Sequence, residues 1–316
     1  FQAVLYHNGQ PVTGFRMNEI SYNDTRYLNA HIDYRTRAKG GPYLQHLSEL
    51  PGYLHSIYTK AGGDGVLDIS DGEAHAVRIQ VSDAAGNAID LNFKVKYNGA
   101  AITGSSLPGK MFYPLMLDVF ESGDCEFYLG ERSLYDSVHI NHTSVASTNP
   151  LVFSAVHTIG ETFIPLQDYF MIRLRPDKEL PAEKAGKVVM QRYAGARKEV
   201  QKVEWQNGWA AARFRDFGNF QLVLDETPPR IIPSGFANGS NLSKATRISF
   251  TVTDNLGKVK NVRATLDGSW LRFTNDKGRV FIYRFDEKCP RGSHTLELYA
   301  EDEAGNEVTE TYKFTR

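Results

Sequence analysis

A six-residue pattern occurs twice in this chain, as SDAAGN at Ser82–Asn87 and as EDEAGN at Glu301–Asn306. The likeness extends on both sides, because GEAHAVRIQVSDAAGNAIDLNFKV (Gly72–Val95) aligns with GSHTLELYAEDEAGNEVTETYKF (Gly292–Phe314). Apolar and polar residues alternate in both copies, which is typical of strands with one buried face. The glycine between the two alternating runs lets the chain reverse direction. The duplication therefore predicts a β-hairpin in each copy and a repeated β module.

The second copy closes a longer series of short alternating segments. TPP at Thr227–Pro229 precedes the series, and further strands are predicted at Arg247–Asn255, Val259–Trp270 and Arg279–Phe285. Roughly seven short strands within about 90 residues is typical of an immunoglobulin-like sandwich. We predict a complete immunoglobulin-like module over residues 226–316.

The first copy starts later in the module than the second. AVLYHNGQPV (Ala3–Val12) is similar to RATLDGSWL (Arg263–Leu271), which lies in the middle of the last module. Residues 1–97 are therefore predicted to form an immunoglobulin-like module without its opening strands. Because such a module would expose its core, we expect the natural protein to continue upstream of Phe1.

The first copy also carries an insertion at about residues 20–58. Within it, NDTRYLNAHIDYRTRAKGG (Asn23–Gly41) predicts a helix capped by Asn23 or Asp24 and ended by glycines. The i, i+4, i+7 spacing of Tyr27, His31 and Tyr34 places them on one face of that helix. Such a stripe is typical of packing and is also a candidate interaction surface.

The segment between the two copies, residues 98–225, is predicted to be a distinct β-rich module. Trp205 and Trp209 flank Asn207-Gly208 in EWQNGWAAARF, and Asn-Gly between alternating residues is a strong hairpin signal. The two tryptophans are interpreted either as core and turn cover or as a platform for a sugar ring. The predicted fold class is thus all-β, with tandem β-sandwich modules and a small helical insertion in the first.

Composition and hydropathy do not favour nucleic acid or a membrane as a partner. The formal net charge of -1 does not favour nucleic acid, and no apolar stretch approaches the ~20 residues of a membrane span. Cys125 and Cys289 fall in different predicted modules, so a disulfide between them is not expected, and their state stays open.

The sequence does not carry a recognisable catalytic motif. G-x-S-x-G, phosphate-binding loops and dinucleotide fingerprints are absent. His139 and His142 are three residues apart but belong to an apparent strand, so they are interpreted as solvated or hydrogen-bonded rather than as metal ligands. We assign no catalytic, cofactor-binding or metal-binding residue.

An ordered set of segments resembles the region that follows the catalytic domain in lysostaphin-type (LytM-like) zinc metallopeptidases of Bacteroidetes-like bacteria. The segments are ISYNDTRYLNAHIDY (Ile20–Tyr34), ELPGYLHSIY (Glu49–Tyr58), HAVRIQVSDAAGN (His75–Asn87), WQNGWAAARFRDFGNFQLVLDETPPRI (Trp205–Ile231) and FTVTDNLGKV (Phe250–Val259). The zinc ligands of that family lie in H-x-x-x-D and H-x-H elements, and none of the nine histidines here stands in either pattern. The resemblance implies that zinc belongs to an upstream peptidase domain outside this chain.

Three functions follow as expectations. The first is a noncatalytic accessory region that positions its own upstream peptidase domain on peptidoglycan crosslinks. The second is a module that binds carbohydrate or cell wall, and the third is a surface adhesin or scaffold stalk. The resemblance implies a location in the cell envelope, in the periplasm or at the surface, with peptidoglycan or another envelope glycan as a partner.

Overall fold

The computed structural model describes residues 1–53, 57–99, 108–257, 259–276 and 280–316. Strands dominate the chain, and the α-helices lie in the insertion near the amino terminus. The all-β prediction, with short helices near the amino terminus, is confirmed. The predicted boundaries at residues 97 and 225 stay a prediction.

The first module contains one antiparallel sheet with the strand order β3-β2-β1-β4-β5. The hairpin of the repeat joins β4 to β5 in register, with Val81 opposite Ile89 and Val77 opposite Phe93. The described residues of this module do not form a second sheet over it. Its strands are β1 (Gln2–His7), β2 (Gln10–Arg16), β3 (Tyr58–Lys60), β4 (Ala74–Ser82) and β5 (Ala88–Lys96).

The insertion does not form the single helix predicted from Asn23 to Gly41. It consists of a 3-10 turn (Tyr22–Tyr27) followed by α1 (Leu28–His31) and α2 (Tyr34–Ala38). The break occurs because Ile32 is extended and the Asp33 side chain caps a new helix by accepting from the Thr36 amide at 2.6 Å. The side chains of Asn23 and Asp24, the predicted caps, lie outside the described residues.

The middle module is a sandwich of two antiparallel five-stranded sheets and a short strand pair. Phenylalanines from both sheets fill its core, among them Phe127, Phe170, Phe214 and Phe220. Asn207 and Gly208 both have positive φ, as the predicted hairpin requires. The strands are β6 (Lys110–Phe112), β7 (Asp118–Glu121), β8 (Cys125–Leu129), β9 (Val138–Ile140), β10 (His142–Val145), β11 (Val156–Ile159), β12 (Phe170–Leu174), β13 (Val188–Ala194), β14 (Arg197–Lys202), β15 (Glu204–Gln206), β16 (Trp209–Phe214) and β17 (Gly218–Leu224), with a 3-10 turn at Ala182–Lys187.

The last module is a sandwich of two sheets. One sheet has the order β18-β20-β24-β23, and the other has the order β19-β26-β25-β21-β22 with β19 parallel to β26. Phe250, Leu296 and Leu298 are fully buried between the sheets. The strands are β18 (Arg230–Ser234), β19 (Ser240–Asn241), β20 (Arg247–Thr253), β21 (Val259–Leu266), β22 (Ser269–Trp270), β23 (Thr274–Asp276), β24 (Val280–Arg284), β25 (Ser293–Asp302) and β26 (Glu307–Thr315).

Packed junctions join the modules. Between the first and the middle module, the Tyr135 ring contacts Tyr27, and its hydroxyl donates to the Arg26 carbonyl at 2.8 Å. Between the middle and the last module, Ala304 of the repeated turn packs against Val189 and Val223. The second copy of the repeat therefore contacts the preceding module through its turn.

Candidate functional site

The structure buries two of the three residues predicted on the helical face. Tyr27 is 5% exposed and His31 is 1% exposed. His31 hydrogen-bonds through Nδ1 to the Tyr58 hydroxyl at 2.8 Å and through Nε2 to the Gln45 side chain at 3.1 Å. Burial lowers the pKa of His31. These contacts indicate a packing role for Tyr27 and His31.

Tyr34 and the two predicted tryptophans also lie against protein. Tyr34 and Trp205 are half-buried and pack on the core of the middle module. The Trp205 indole donates to the Ala185 carbonyl at 3.0 Å. Trp209 is 7% exposed, and its ring faces the Arg173 and Arg175 guanidinium groups. Trp205 and Trp209 therefore do not present a shared flat face to solvent.

The tryptophan that faces solvent is Trp270 in the last module, with 64% of its surface exposed. It lies on β22 directly after the Asp267-Gly268 turn, where both residues have positive φ. The two-residue turn holds β22 against β21, so Trp270 pairs with Thr265. The alternation in Val259–Trp270 predicts a strand ending at Trp270 but carries no signal that the Trp270 side chain faces solvent.

An open groove of about 890 Å³ lies in the same module, between β20 and β21 of the two sheets. Hydroxyl, amide and charged side chains line it together with an apolar floor: Thr251, Thr253, Asp254, Lys260, Asn261 and Asn275 with Val252, Val259, Val262 and Phe281. Val262 and Phe281 also line the smaller cavity of about 100 Å³ that reaches Trp270. The groove and this smaller cavity therefore share two lining residues.

Ion pairing fixes part of the groove wall. Lys260 Nζ lies 2.7 Å from Glu301 Oε1, and the Asn261 amide donates to Glu301 Oε2 at 2.6 Å. Lys260 holds the pKa of Glu301 below its usual range. Because Glu301 ties both side chains to β25, the polar wall is ordered before any ligand binds.

Three residues of metal-binding types meet within the middle module. Cys125, His142 and His157 lie with their ligand atoms within 4.8 Å of one another. His142 Nε2 and His157 Nδ1 are 3.1 Å apart, so a single proton joins them in a hydrogen bond. Burial raises the pKa of the Cys125 thiol and lowers the pKa of His157 to about 4, so thiol and imidazole stay neutral at pH ~7. The hydrogen-bonded interpretation of His142 agrees with this geometry.

Both cysteines are free and buried. In the part of the chain that the structure describes, no helix is long and apolar enough to cross a membrane.

Two family models match parts of the chain. Residues 110–225 match the model of a Zu5-like domain. Residues 233–315 match the model of a bacterial Ig-like domain. The second match contains the groove and Trp270. Neither match indicates a lysostaphin-type peptidase, and no curated protein sequence matches the chain.

Solved structures share only a coarse likeness with this chain. The endo-beta-1,4-mannanase of Thermotoga petrophila is 15% identical to this chain, with a TM-score of 0.25. The aligned part is 29% of this chain and 20% of the mannanase chain. The CbhA fibronectin(III)-like modules of Clostridium thermocellum are 12% identical with a TM-score of 0.22 over 47% of this chain and 85% of theirs. SGBP-B of Bacteroides ovatus, solved with a mixed-linkage heptasaccharide, is 11% identical with a TM-score of 0.19 over 100% of this chain and 60% of its own. At such scores these likenesses carry no functional argument.

Proposed function

We propose that this chain is a noncatalytic, surface-exposed array of β modules that binds carbohydrate through the groove of its last module. The observation that carries this proposal is that the last module carries both a polar groove and a solvent-exposed Trp270 ring. A sugar ring offers an apolar face that stacks on an indole and hydroxyl groups that pair with amides and hydroxyls. Asn261, Asn275 and Thr253 line the groove and offer such polar groups.

The position of the groove supports a surface role. The packed junctions hold the last module against the middle one, so a glycan bound at Trp270 would be held at a defined place on the array. We place the protein in the cell envelope or at the surface, with peptidoglycan or another envelope glycan as its ligand.

Affinity electrophoresis in gels containing soluble glucan, mannan or solubilised peptidoglycan fragments tests the proposal. Binding is expected to slow the native chain, and Trp270→Ala is expected to weaken it about three- to tenfold, the equivalent of one aromatic contact. Tyr43→Ala is the matched control, because Tyr43 is also 64% exposed but lies in the first module. Retardation by none of these polymers, or equal effects of the two variants, would overturn the proposal.

A second candidate function is the support of a neighbouring domain, and the sheet of the first module favours it. Val81 and Phe93 are 37% and 40% exposed, whereas their counterparts Ala300 and Tyr312 are 0% and 9% exposed beneath the second sheet of the last module. An uncovered apolar sheet face is typical of a surface that another domain covers. Under this candidate the chain is the accessory region of a cell-wall zinc endopeptidase, as the resemblance implies.

Hydrogen exchange separates the candidates. The chain would be compared alone and extended by the adjoining segments of its own gene product. Slower exchange confined to β4 and β5 in the extended protein supports the second candidate, and unchanged exchange there contradicts it. Release of peptides from peptidoglycan by the purified chain with added zinc would contradict both candidates, because both treat the chain as noncatalytic.

A further inference from the structure

Three aspartates meet at the junction between the middle and the last module. Asp225 follows β17 of the middle module, Asp254 follows β20 of the last module, and Asp302 ends β25. Their carboxylate oxygens lie within 4.8 Å of one another. Asp225 and Asp302 are 3% and 1% exposed. The cluster joins two modules and is largely removed from solvent.

The negative charge of this cluster has no basic partner among the described side chains. Within the described ranges, no lysine or arginine nitrogen lies within 4.0 Å of these three carboxylates. Lys187 is present at the junction, but it donates to the Gly305 carbonyl at 2.8 Å. Lys260 pairs with Glu301 instead. Asp254 is half-buried beside the two buried aspartates. Three adjacent carboxylates repel one another and lose hydration, so an uncompensated cluster would be destabilising.

One oxygen of the cluster has no hydrogen-bond partner. Asp254 Oδ2 accepts from the Leu256 amide at 2.8 Å and from the Gly257 amide at 3.2 Å. Asp254 Oδ1 is completely buried and accepts no hydrogen bond from any described residue. A buried carboxylate oxygen without a donor is costly, and it is ordinarily satisfied by a donor, water or an ion.

We propose that Asp225, Asp254 and Asp302 together bind a calcium ion at this junction. Carboxylate oxygens are the hard ligands that Ca²⁺ prefers, and its coordination by about six to eight oxygens tolerates irregular sites completed by carbonyls and water. Mg²⁺ demands a near-ideal octahedron and keeps most of its water, which suits a largely dry cluster less well. Asp254 also lines the open groove, so the groove supplies a path by which the ion enters.

The ion would connect the end of the middle module to two loops of the last one. Its binding free energy would therefore stabilise the docked arrangement, because only the docked modules bring the three carboxylates together. The cluster shares Asp254 with the groove of the carbohydrate proposal, but ion binding does not require that a glycan binds there.

Calcium binding to the full chain tests the inference directly. The chain is treated with a chelator, dialysed, and titrated with CaCl₂ and separately with MgCl₂ in a calorimeter, while thermal unfolding is followed at the same cation concentrations. We expect one Ca²⁺ per chain and a Tm that rises with Ca²⁺ concentration more than with Mg²⁺. No calcium-dependent heat together with an unchanged Tm would overturn the inference without any need for a variant.

Two substitutions assign the bound ion to this cluster. Asp254→Asn keeps the shape and the acceptor for the Leu256 amide but removes one charge, and it is expected to weaken Ca²⁺ binding about tenfold or more. Asp83→Asn is the control, because Asp83 is the counterpart of Asp302 in the first copy and is exposed outside the cluster. Equal affinity for Asp254→Asn and the native chain overturns the inference. After chelation, Asp254→Asn removes one repelling charge, so its Tm can exceed that of the native chain and be unaffected by Ca²⁺. This result agrees with the inference, provided that the native chain binds Ca²⁺.

Discussion

Asn306 donates its side-chain amide to the main-chain carbonyl of Asp225 at 2.9 Å and thereby joins the last module to the middle one. The same amide also donates to Asp302 Oδ2 at 2.8 Å, within the repeated turn. Asn87, its counterpart in the first copy, donates to Asp83 Oδ2 at the same distance of 2.8 Å but is exposed. One turn geometry is thus used at a junction in one copy and exposed to solvent in the other.

Asn306→Ala is predicted to destabilise the junction much more than Asn87→Ala. The first change leaves the buried Asp225 carbonyl without its Asn306 donor and removes the side-chain donor to Asp302 Oδ2, which costs about 1–3 kcal/mol. The second removes an exposed hydrogen bond and should cost less than about 1 kcal/mol. Urea unfolding of both variants measures the difference in unfolding free energy. Equal losses of unfolding free energy in the two variants would contradict a stabilising contribution of Asn306 at the junction.

Gly52→Ala is predicted to disturb the junction between the first and the middle module. A Cβ at Gly52 would collide with the Leu134 carbonyl oxygen and lie 2.9 Å from Pro114 Cβ. Because backbone must move to relieve this contact, we expect a loss of about 1–3 kcal/mol. Gly123→Ala is the control, since nothing lies within 4 Å of its added Cβ. Limited proteolysis and chemical unfolding would report the change, and matching profiles for the two variants would refute it.

Acidification is predicted to destabilise the middle module through His157. Its side chain is fully buried, and burial lowers its pKa from 6.5 to about 4. Below the unfolded pKa the unfolded chain binds a proton that the folded chain does not, so stability falls as pH decreases from about 6.5 towards 4. Between pH ~7 and pH ~5 this loss amounts to about 2 kcal/mol. In His157→Gln, the unfolding free energy should depend less on pH over that interval.

His294 provides a control of opposite sign. Burial disfavours its charged form, but hydrogen bonds to Asp267 and to the Pro290 carbonyl outweigh burial, so the pKa of His294 is raised. Its contribution to stability is therefore present at low pH and lost as pH rises through the folded pKa. In His294→Gln, the unfolding free energy should fall more steeply on acidification than in the native chain. A shallower fall, as expected for His157→Gln, would contradict the raised pKa of His294.

Polar substitutions on the uncovered sheet face should leave stability nearly unchanged. Ile89 and Leu91 are 72% and 59% exposed, so Ile89→Thr with Leu91→Thr keeps the strand and removes apolar surface from solvent. We expect a change within about 0.5 kcal/mol for each substitution and weaker binding of a hydrophobic dye. Val77→Thr on the same face is the buried control, since Val77 is 5% exposed and should lose more stability. Undiminished dye binding by the double variant would contradict the exposure of this face.

Local signals in the sequence predicted the strands and turns well, because their causes are local. Asn207-Gly208 specifies its hairpin through positive φ at both residues, and alternation identifies β25 and β26. The helix of the insertion was predicted as one element because periodicity does not register the extended Ile32 or the new cap at Asp33. Helix ends depend on such single-residue choices.

The candidate sites could not be predicted in the same way. Whether Trp209 or Trp270 faces solvent depends on which sheet covers each strand, and alternation alone does not give that. Asp225, Asp254 and Asp302 belong to three separate segments that meet only when two modules dock. Their spacing in the chain contains no signal for a shared site, although the recurring Asp-x-Ala-Gly-Asn turn marked one of the three positions.

The connection between the middle and the last module is short enough to limit how far they can separate. β17 ends at Leu224 and β18 begins at Arg230, which leaves five residues, 225–229, with consecutive prolines at Pro228 and Pro229. Fully extended, they span at most about 17 Å. Under a pulling force the strand ends on either side of this linker can therefore separate by no more than about this length before tension reaches the strands. Beyond that length, sheet hydrogen bonds resist the stretching.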